Sequence, residues 1–424
     1  MKLKLHWQIL FAIVTAVIIG SIVDTETAVF GVTFYDIFDF IGTLFLNALK
    51  MLIVPLVLSS IICGVSGIGR DEGIGRLGGK TIGFYMLSSL LAILVGLVFV
   101  NIMAPGIIDG SPAGDRLNLS SPSVISAQLD RVEGRGAGDI AAVFLRMVPT
   151  NIVKAAAEGQ MLGLICFGIL FGFFMSRIQE EHKKTLASFW QGIFETMMAI
   201  TLFVMKFAPI GVFGLVAKTI TATGFEAFEP LLLFFMTVFM ALLCHAFITL
   251  PLLLRFVGRV RNPMLHYKAM MPALLTAFST ASSSGTLPVT MECVENNAKV
   301  SNKVTSFVLP LGATVNMDGT ALYECVAAMF IAQAYGLDLS FATQFTIVIT
   351  ALLTSIGVAG IPAASLVAIT IILGVIGLPL EGIGMLLVTD RILDMMRTSV
   401  NVFSDSCCAV IIAKTEGEQG VLES

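Results

Sequence analysis

The sequence predicts an all-α polytopic membrane protein with eight transmembrane helices and two re-entrant helical hairpins. Its residues are 56% hydrophobic and only 13% charged, with a mean hydropathy of +0.93, whereas soluble domains carry about 25% charged residues. Apolar segments of spanning length recur along the chain. Two later apolar segments are interrupted by small and polar residues, which is the pattern that predicts the hairpins.

Six apolar segments in the first part of the chain match the roughly 20 residues that a membrane-spanning helix needs. They lie near residues 7–23, 37–65, 81–103, 140–175, 186–217 and 230–254. Lys2 and Lys4 precede the first segment as in a signal peptide, but no convincing small-residue cleavage site follows, so we expect a transmembrane helix. The polar segment 105–139 is expected to be a loop or a partly ordered excursion.

The distribution of basic residues predicts the orientation. The N-terminus and the loops after spans two, four and six are basic, while the turns after spans one and five are acidic or nearly uncharged. Cytoplasmic loops are enriched in Lys and Arg. We therefore expect a multi-pass protein of the cell inner (plasma) membrane with both termini in the cytoplasm.

The second part of the chain contains a repeat. The apolar segments around residues 279–288 and 355–365 are interrupted by Ser, Thr, Gly and Pro, and each half is too short to cross a bilayer. Each predicted hairpin precedes a span that bears polar residues, at 316–320 and at 390–405. The two units have opposite predicted topology, and inverted repeats with interrupted helices indicate a transporter site near the membrane midplane.

The polar face of the last span is the clearest candidate site. On a helix, its residues fall within an arc of about 80°: Asp390, Asp394, Arg397, Asn401 and Asp405. Arginine deep in a span costs at least roughly 2.5 kcal/mol. Two interpretations remain open: Arg397 forms a salt bridge to Asp394 or Asp390, or it is a fork for a substrate carboxylate, with Asp394 left for an ammonium group. Arg391 is expected to support the outer end.

Residues 316–320 (Asn-Met-Asp-Gly-Thr) combine an amide, a carboxylate, a glycine and a hydroxyl at membrane depth. A glycine permits a helix break, and freed carbonyls beside a carboxylate suit a hard cation. The alternative is a polar kink that holds helices together. The second carboxylate and amide, Asp405 and Asn401, favour the cation site.

Other residue classes argue against an enzyme or a resident metal. The serines at 282–284 have no His or Lys placed as a base, so an intramembrane hydrolase is excluded. The seven cysteines lack CxxC spacing and are expected to be buried small hydrophobes. The four histidines are scattered too widely to predict a site, and a net charge of −4 does not suggest nucleic acid.

Four motifs in this order resemble the dicarboxylate/amino acid:cation symporters, the glutamate/aspartate transporter family. They are the serine-rich hairpin 282–288, the motif 316–320, the second tip 355–362 and the last-span pattern from Asp394 to Asp405. The similarity extends along essentially the whole chain, including residues 149–151 and 208–213.

This resemblance implies a homotrimer of elevator-type transporters, in which a mobile transport domain slides past a static scaffold. The scaffold would comprise residues 1–78 and 106–223, and the transport domain residues 79–105 and 224–424. Within the latter it implies hairpin 1 at about 265–296, span seven at about 300–335, hairpin 2 at about 340–378 and span eight at about 383–413. The second hairpin would act as the gate.

The resemblance also implies site residues. Arg397 would bind the side-chain carboxylate of the substrate and Asp394 its amino group, with the pocket completed by Thr398, Asn401, Thr320, Ser282, Ser283, Ile361 and Ala364. One co-transported sodium ion would lie near Gly312, Asn316, Asn401 and Asp405. A second would use backbone near Thr314, Met317, Ser355, Ile356 and Val358. A third would use Tyr85, Ser88, Ser89, Asn316 and Asp318.

The chain departs from the family pattern at several positions. Ala281 stands where some members have an arginine, and Arg391 is a possible substitute for that charge. Val358 stands where a hydroxyl residue can occur, and Ala363 and Ser365 replace glycines near the second tip. Having both Arg397 and Asp394 favours an acidic amino acid as substrate. We therefore expect a sodium-coupled aspartate/glutamate symporter, with a proton-coupled carrier or an ion channel as alternatives.

Overall fold

The computed structural model describes residues 5–29, 31–66, 72–117, 119, 145, 147–158, 160–224, 228–337, 339–357, 364–379 and 382–422, and these residues are mostly α-helical. Two short antiparallel ribbons accompany the helices. Strand β1 (Ala28–Val29) pairs with β2 (Val32–Thr33), and β3 (Ile107–Ile108) pairs with β4 (Ser111–Pro112).

The helices follow the predicted order. The first seven are α1 (Leu5–Ile22), α2 (Phe34–Ser66), α3 (Glu72–Met103), α4 (Ile152–Ala157), α5 (Met161–Met175), α6 (Glu180–Met205) and α7 (Ala208–Thr223). The next five are α8 (Phe228–Cys244), α9 (Leu250–Phe256), α10 (Met264–Thr280), α11 (Ser283–Glu292) and α12 (Asn302–Val315). The last four are α13 (Asp318–Ala334), α14 (Phe341–Gly357), α15 (Ala364–Ile376) and α16 (Ile383–Thr415). Five-residue π-helical turns follow α8 and α11.

Three helical stretches among the described residues are long and apolar enough, by length and composition alone, to cross a membrane. They are Arg76–Met103, Glu180–Val204 and Phe228–Phe256. Several other predicted spans correspond to shorter apolar helices, and α16 has sufficient length but carries the charged stripe. The count of eight spans therefore stays a prediction.

The prediction of one continuous fifth span near residues 186–217 is wrong. Helix α6 ends at Met205 and α7 begins at Ala208, with Pro209 in its first turn. Proline lacks an N–H and its ring clashes with the preceding turn of a helix, so it begins helices more readily than it continues them. The fourth segment is also divided, since α4 ends at Ala157 and α5 begins at Met161.

Helices α10 and α11 form the first predicted hairpin. They pack side by side, and Asn297 Nδ2, just beyond α11, donates to Ala269 O near the start of α10 at 2.9 Å. The chain reverses at Ala281, which has a left-handed backbone (φ 49°), and at Ser282, whose Oγ accepts from Gly285 N at 3.0 Å. The pair α14 and α15 packs similarly, but its connection, residues 358–363, lies outside the described residues.

The seventh predicted span is interrupted as expected, although the glycine has another role. Helix α12 ends at Val315, Asn316 and Met317 are non-helical with φ of −108° and −130°, and α13 begins at Asp318. Gly319 therefore lies within the first turn of α13 and not at the break. A Cβ there would lie 2.8 Å from Arg397 O. The glycine lets α13 approach the backbone of α16 closely.

The helices pack in two groups. Helices α5, α6 and α7 pack on α2, and α1 packs on α7, while α3, α8, α10, α12 and α13 pack with α16. The groups meet where α14 and α15 contact α2 and α5, and Leu56, Ile165 and Ile371 share one buried cluster there. This arrangement holds the break at residues 316–317 against the polar stripe of α16.

The segment after α16 is held against the helix group that contains α3 and α12 by ion pairs and hydrogen bonds. Glu416 binds Arg76 Nη2 and Lys80 Nζ, each at 2.5 Å. Beyond it, the Glu418 carboxylate accepts from Ser301 N at 2.9 Å, and Leu422 N donates to Ala298 O at 3.1 Å. The hydrogen bond from Lys80 is the largest cause that lowers the pKa of Glu416.

We expect Glu416→Gln to destabilise the protein slightly, by about 0.2–1 kcal/mol at neutral pH, because the ion pairs are near the surface. A carboxyl with a lowered pKa stabilises the fold above its unfolded-state pKa, and that contribution is lost as pH falls through its folded-state pKa. Thermal unfolding in detergent, compared between neutral and acidic pH, measures the effect. Glu26→Gln is the control, since Glu26 is exposed and forms no ion pair in the described part of the chain. An equal loss in both variants would contradict the role of Glu416.

Candidate functional site

Arg397 lies at the centre of the polar stripe and is only 1% exposed. Its Nη2 donates to Asp390 Oδ1 and to Asp394 Oδ1, both at 3.0 Å. Its guanidinium carbon lies 3.9 Å from the centre of the Tyr323 ring. The Nε and Nη1 atoms are buried without a hydrogen-bond partner among the described residues. The salt bridges from Arg397 to Asp390 and Asp394, one of the two interpretations of the sequence, are therefore present. They leave the Nε and Nη1 atoms of the guanidinium without a partner among the described residues.

Asp394 lies between two arginines. Its Oδ1 accepts from Arg397, and its Oδ2 lies 3.5 Å from Arg391 Nη1. Its side chain is 38% exposed, against 18% for Asp390. Asp394 is therefore the more accessible of the two acidic partners of Arg397. Arg391 therefore lies beside the carboxylate of Asp394, and its role at the outer end of the stripe stays a prediction.

Asp318 is fully buried and collects four hydrogen bonds from three other helical segments. Its Oδ1 accepts from Ser89 Oγ at 2.7 Å and from Ser88 Oγ at 3.3 Å. Its Oδ2 accepts from Ser404 Oγ at 2.6 Å and contacts His245 Nε2 at 3.1 Å. The hydroxyl oxygens that donate to the carboxylate keep lone pairs of their own. The cluster therefore gathers hard oxygen atoms around one negative charge.

Asn316 joins this cluster to the second carboxylate. Its Oδ1 accepts from Ser89 Oγ at 3.4 Å, and its Nδ2 donates to Asp405 Oδ1 at 2.9 Å. A Cβ added at Gly312 would lie 2.5 Å from Asp405 Oδ1 and 2.6 Å from Tyr85 Oη. The predicted ligands of the first and third cation sites on α3, α12, α13 and α16 are thus brought together.

Asn401 connects α16 to the first turn of α13. Its Oδ1 accepts from Gly319 N at 2.8 Å, and its Nδ2 donates to Thr320 Oγ1 at 3.1 Å. Thr398, 6% exposed, donates from Oγ1 to Asp394 O at 2.8 Å. Thr398 and Asn401 thus lie on α16 between Arg397 and Asp405, and Thr320 contacts Asn401 from α13.

The remaining predicted cation set is only partly described. Met317 and Ser355 are buried, and Ser355 lines a cavity of about 270 Å³ together with Tyr85, Ser89 and Val315. Val358 lies outside the described residues, as do the side chains of Thr314 and Ile356. The assignment of a cation to this set stays a prediction.

The two hairpin tips are described unequally. Ser282 caps α11, and Ser283, the first residue of that helix, is half-buried. Helix α11 packs against α16. Ile361 lies outside the described residues, and so does the side chain of Ala364. The contribution of both tips to a substrate pocket stays a prediction.

His245 is a site residue that the sequence analysis missed. It lies in the π-helical turn His245–Thr249, just before Pro251 in α9, and it is fully buried against Asp318. Because proline donates no backbone hydrogen bond, the turn before it widens locally. A histidine inside an apolar span was itself a signal. The separation of 73 residues from Asp318 hid the contact.

Glu324 and Ser404 were also missed. Glu324 is 1% exposed, and its Oε2 accepts from Thr354 Oγ1 at 3.0 Å. Ser404 is fully buried and is shared between Asp318 and Asn316. A carboxylate in a predicted span is a functional signal, whereas a serine beside Asp405 gives little functional information by itself.

The described residues contain no group of three His, Cys, Asp or Glu that could bind a metal ion.

Comparison with known proteins agrees with the motifs. The family described as the sodium:dicarboxylate symporter family matches residues 5–415. The proton/glutamate-aspartate symporter of Escherichia coli (strain K12) is 37% identical over 419 residues, covering 98% of this chain and 93% of that protein. The proton/sodium-glutamate symport protein of Geobacillus stearothermophilus is 36% identical over 417 residues, covering 98% and 96%.

An animal protein shows similar identity. Excitatory amino acid transporter 3 of Mus musculus is 35% identical over 454 residues, covering 97% of this chain and 86% of that protein. The family match covers nearly the whole chain, and these relatives are 35–37% identical over at least 97% of it. The chain therefore belongs to the sodium:dicarboxylate symporter family and is a polytopic membrane transporter, not an enzyme.

Proposed function

We propose that the chain is a secondary active symporter that takes up aspartate or glutamate together with sodium ions. The observation that carries this proposal is the state of Arg397. Two of its fork donors are buried and unpartnered, next to the accessible carboxylate of Asp394. A planar fork suits a carboxylate, and Asp394 suits an ammonium group. An acidic amino acid presents both groups.

The cation coupling rests on the cluster around Asp318. A cation between Asp318, Asn316, Asp405 and the neighbouring hydroxyls would hold the break between α12 and α13 against α16. Asn401 links α16 to the same part of α13, since it accepts a hydrogen bond from Gly319 and donates one to Thr320. It lies one turn of α16 beyond Arg397 and Thr398. Cation and substrate would then stabilise one arrangement of the same helices, and each would raise the affinity for the other.

We further propose alternating access by an elevator movement in a homotrimer. The helices form two groups that contact each other, α3, α8 and α10–α16 in one and α1, α2 and α4–α7 in the other. This grouping supports a transport domain of residues 79–105 and 224–424 and a scaffold of residues 1–78 and 106–223. The second hairpin would gate the pocket. The protein would lie in the cell inner (plasma) membrane with both termini cytoplasmic, as its basic loops predict.

Proton coupling is the second candidate. The relatives named above include a proton/glutamate-aspartate symporter and a proton/sodium-glutamate symport protein. Glu324 supports this candidate, since it is buried with one hydroxyl as its hydrogen-bond partner in the described part of the chain. A charge in that position would be poorly compensated, and a neutral carboxyl carries a proton.

Uptake of labelled aspartate into liposomes tests the proposal, with sodium, proton and potassium gradients imposed separately. A sodium gradient alone should drive accumulation. Accumulation driven only by a pH gradient would favour the proton-coupled carrier. A carrier also exchanges labelled for unlabelled aspartate, whereas an ion channel would pass ions without substrate counterflow.

Glu324→Gln separates the two coupling ions further. The amide keeps the size of the side chain and a hydrogen bond to Thr354, but it cannot carry a proton. We expect sodium-driven uptake to stay near the wild-type rate, and any uptake that a pH gradient alone drives in the wild type to be lost. Thr354→Val is the control, because it removes the hydrogen bond and keeps the carboxyl. Persistence of pH-driven uptake in Glu324→Gln would exclude Glu324 as the proton carrier.

A further inference from the structure

The end of α9, the connection after it and the start of α10 carry a cluster of exposed positive charge. Arg255, Arg259, Arg261 and Lys268 are all exposed, and the sequence contains no Asp or Glu from residue 230 to residue 291. None of these four side chains forms an ion pair within the described residues. By contrast, Arg76 and Lys80 both form ion pairs with Glu416. Residues 255–268, which include the end of α9 and the start of α10, are called the basic loop.

The basic loop is a built surface and not a loose connection. Val260 is 2% exposed, and its N–H donates to Leu254 O at 3.0 Å. Arg259 has a left-handed backbone with φ of 52°, and Arg255 Nη1 donates to Arg261 O. Because Val260 is anchored inward, Arg259 and Arg261 on either side of it are held at the surface.

Glycine fixes the loop to the helix that bears the polar stripe. A Cβ at Gly258 would lie 2.8 Å from both Ile411 Cγ1 and Leu254 O. The loop therefore rests directly on α16, close to its last turns. Whatever binds the basic loop is attached to the helix group that contains the candidate site.

Large apolar side chains are exposed beside the charges. Phe256 is 75% exposed, Met264 56%, Leu252 48% and Val257 43%. An acidic protein or a nucleic acid would pair with the charges but leave these side chains in contact with water. A phospholipid presents a negative headgroup and acyl chains at adjacent depths, and it complements both parts of the surface.

We propose that the basic loop is a binding site for anionic phospholipid headgroups at the membrane surface. The two arginines and Lys268 bind the phosphate region, and Phe256 and Met264 contact the acyl chains. The proposal needs a membrane protein, which family membership provides, but it does not depend on the coupling ion or on the substrate.

Lipid titration of the purified protein followed by native mass spectrometry tests this site, with phosphatidylglycerol and phosphatidylcholine as the two probes. The wild type should bind phosphatidylglycerol more tightly. The triple variant Arg259→Gln, Arg261→Gln, Lys268→Gln should weaken phosphatidylglycerol binding by about a hundredfold, since each basic residue near an anionic surface contributes roughly fivefold. Arg255 is kept because it stabilises the loop.

A matched control removes three basic charges elsewhere, by Arg177→Gln, Lys183→Gln, Lys184→Gln after α5. Lys183 lies beside Glu180, and Arg177 stacks on Phe173. The control should retain phosphatidylglycerol binding. Equal binding of both lipids by the wild type, an equal loss in the control, or displacement of the lipid by inorganic phosphate would overturn the proposal. A thermal unfolding midpoint of the triple variant in detergent that equals that of the wild type shows that it is folded. Lipid binding is measured without sodium or aspartate. Its outcome therefore does not depend on whether the symport proposal is correct.

Discussion

Arg397→Cys is expected to abolish the uptake of aspartate and glutamate. The substitution removes both free donors of the fork, and hydrogen bonds to charged groups contribute about 1.5–3 kcal/mol each. Loss of two such bonds corresponds to at least about a hundredfold loss in affinity for an acidic substrate. Neutral amino acids need no partner for a second carboxylate, and Asp394 remains available for their ammonium group. Uptake of labelled aspartate and of labelled serine into liposomes measures both effects.

The same substitution leaves Asp390 and Asp394 without their shared arginine. Breaking a buried ion pair costs roughly 3–5 kcal/mol, so thermal unfolding in detergent must accompany the uptake assay. Arg397→Lys keeps the charge without the planar fork and should also lose acidic substrates. Arg391→Cys is the comparison, because it removes the neighbouring arginine, which is 28% exposed and 3.5 Å from Asp394, and leaves the guanidinium of Arg397 in place. It should reduce aspartate uptake far less than Arg397→Cys. Unchanged aspartate uptake by Arg397→Cys would refute the role assigned to Arg397.

Asp318→Asn is expected to remove most of the sodium dependence of aspartate binding. The amide is close in size to the carboxylate, but it removes the negative charge on which the hydroxyls of Ser88, Ser89 and Ser404 converge. The loss of a buried charge partner costs roughly 3–5 kcal/mol, which shifts the sodium concentration at half-saturation by at least about a hundredfold. Isothermal titration with aspartate over a sodium series measures this shift.

Asp39→Asn provides the control with the same chemical change. Asp39 lies in α2, is 45% exposed and pairs with Lys218 at 2.8 Å. The sodium dependence of Asp39→Asn should equal that of the wild type. A wild-type sodium midpoint in Asp318→Asn would show that the cluster around Asp318 holds no coupling cation.

Local patterns predicted the elements and most of the candidate ligands. The 3.6-residue period that groups Asp394, Arg397 and Asp405 is visible in an otherwise apolar helix, and the break at residues 316–317 follows from polar residues inside an apolar segment. The two halves of the first hairpin are likewise delimited by small residues. Each of these signals is contained in one short stretch of sequence.

Contacts between distant segments could not be predicted in the same way. The packing of His245 against Asp318 depends on how α8 and α9 lie beside α13, and no periodicity encodes that placement. Side-chain conformation determines which guanidinium atoms of Arg397 bind the two carboxylates and which have no partner among the described residues. The sequence allowed a salt bridge or a substrate fork, and the geometry leaves room for both at one guanidinium. Gly319 was assigned to a helix break because its close approach to Arg397 O was not visible from the sequence.

The affinity of the purified protein for aspartate, measured against sodium concentration, tests the central claim most directly. The account predicts that the affinity rises steeply with sodium, because cation and substrate stabilise the same joint of α12, α13 and α16 and their coupling is reciprocal. An affinity that does not change with sodium would contradict sodium-coupled symport.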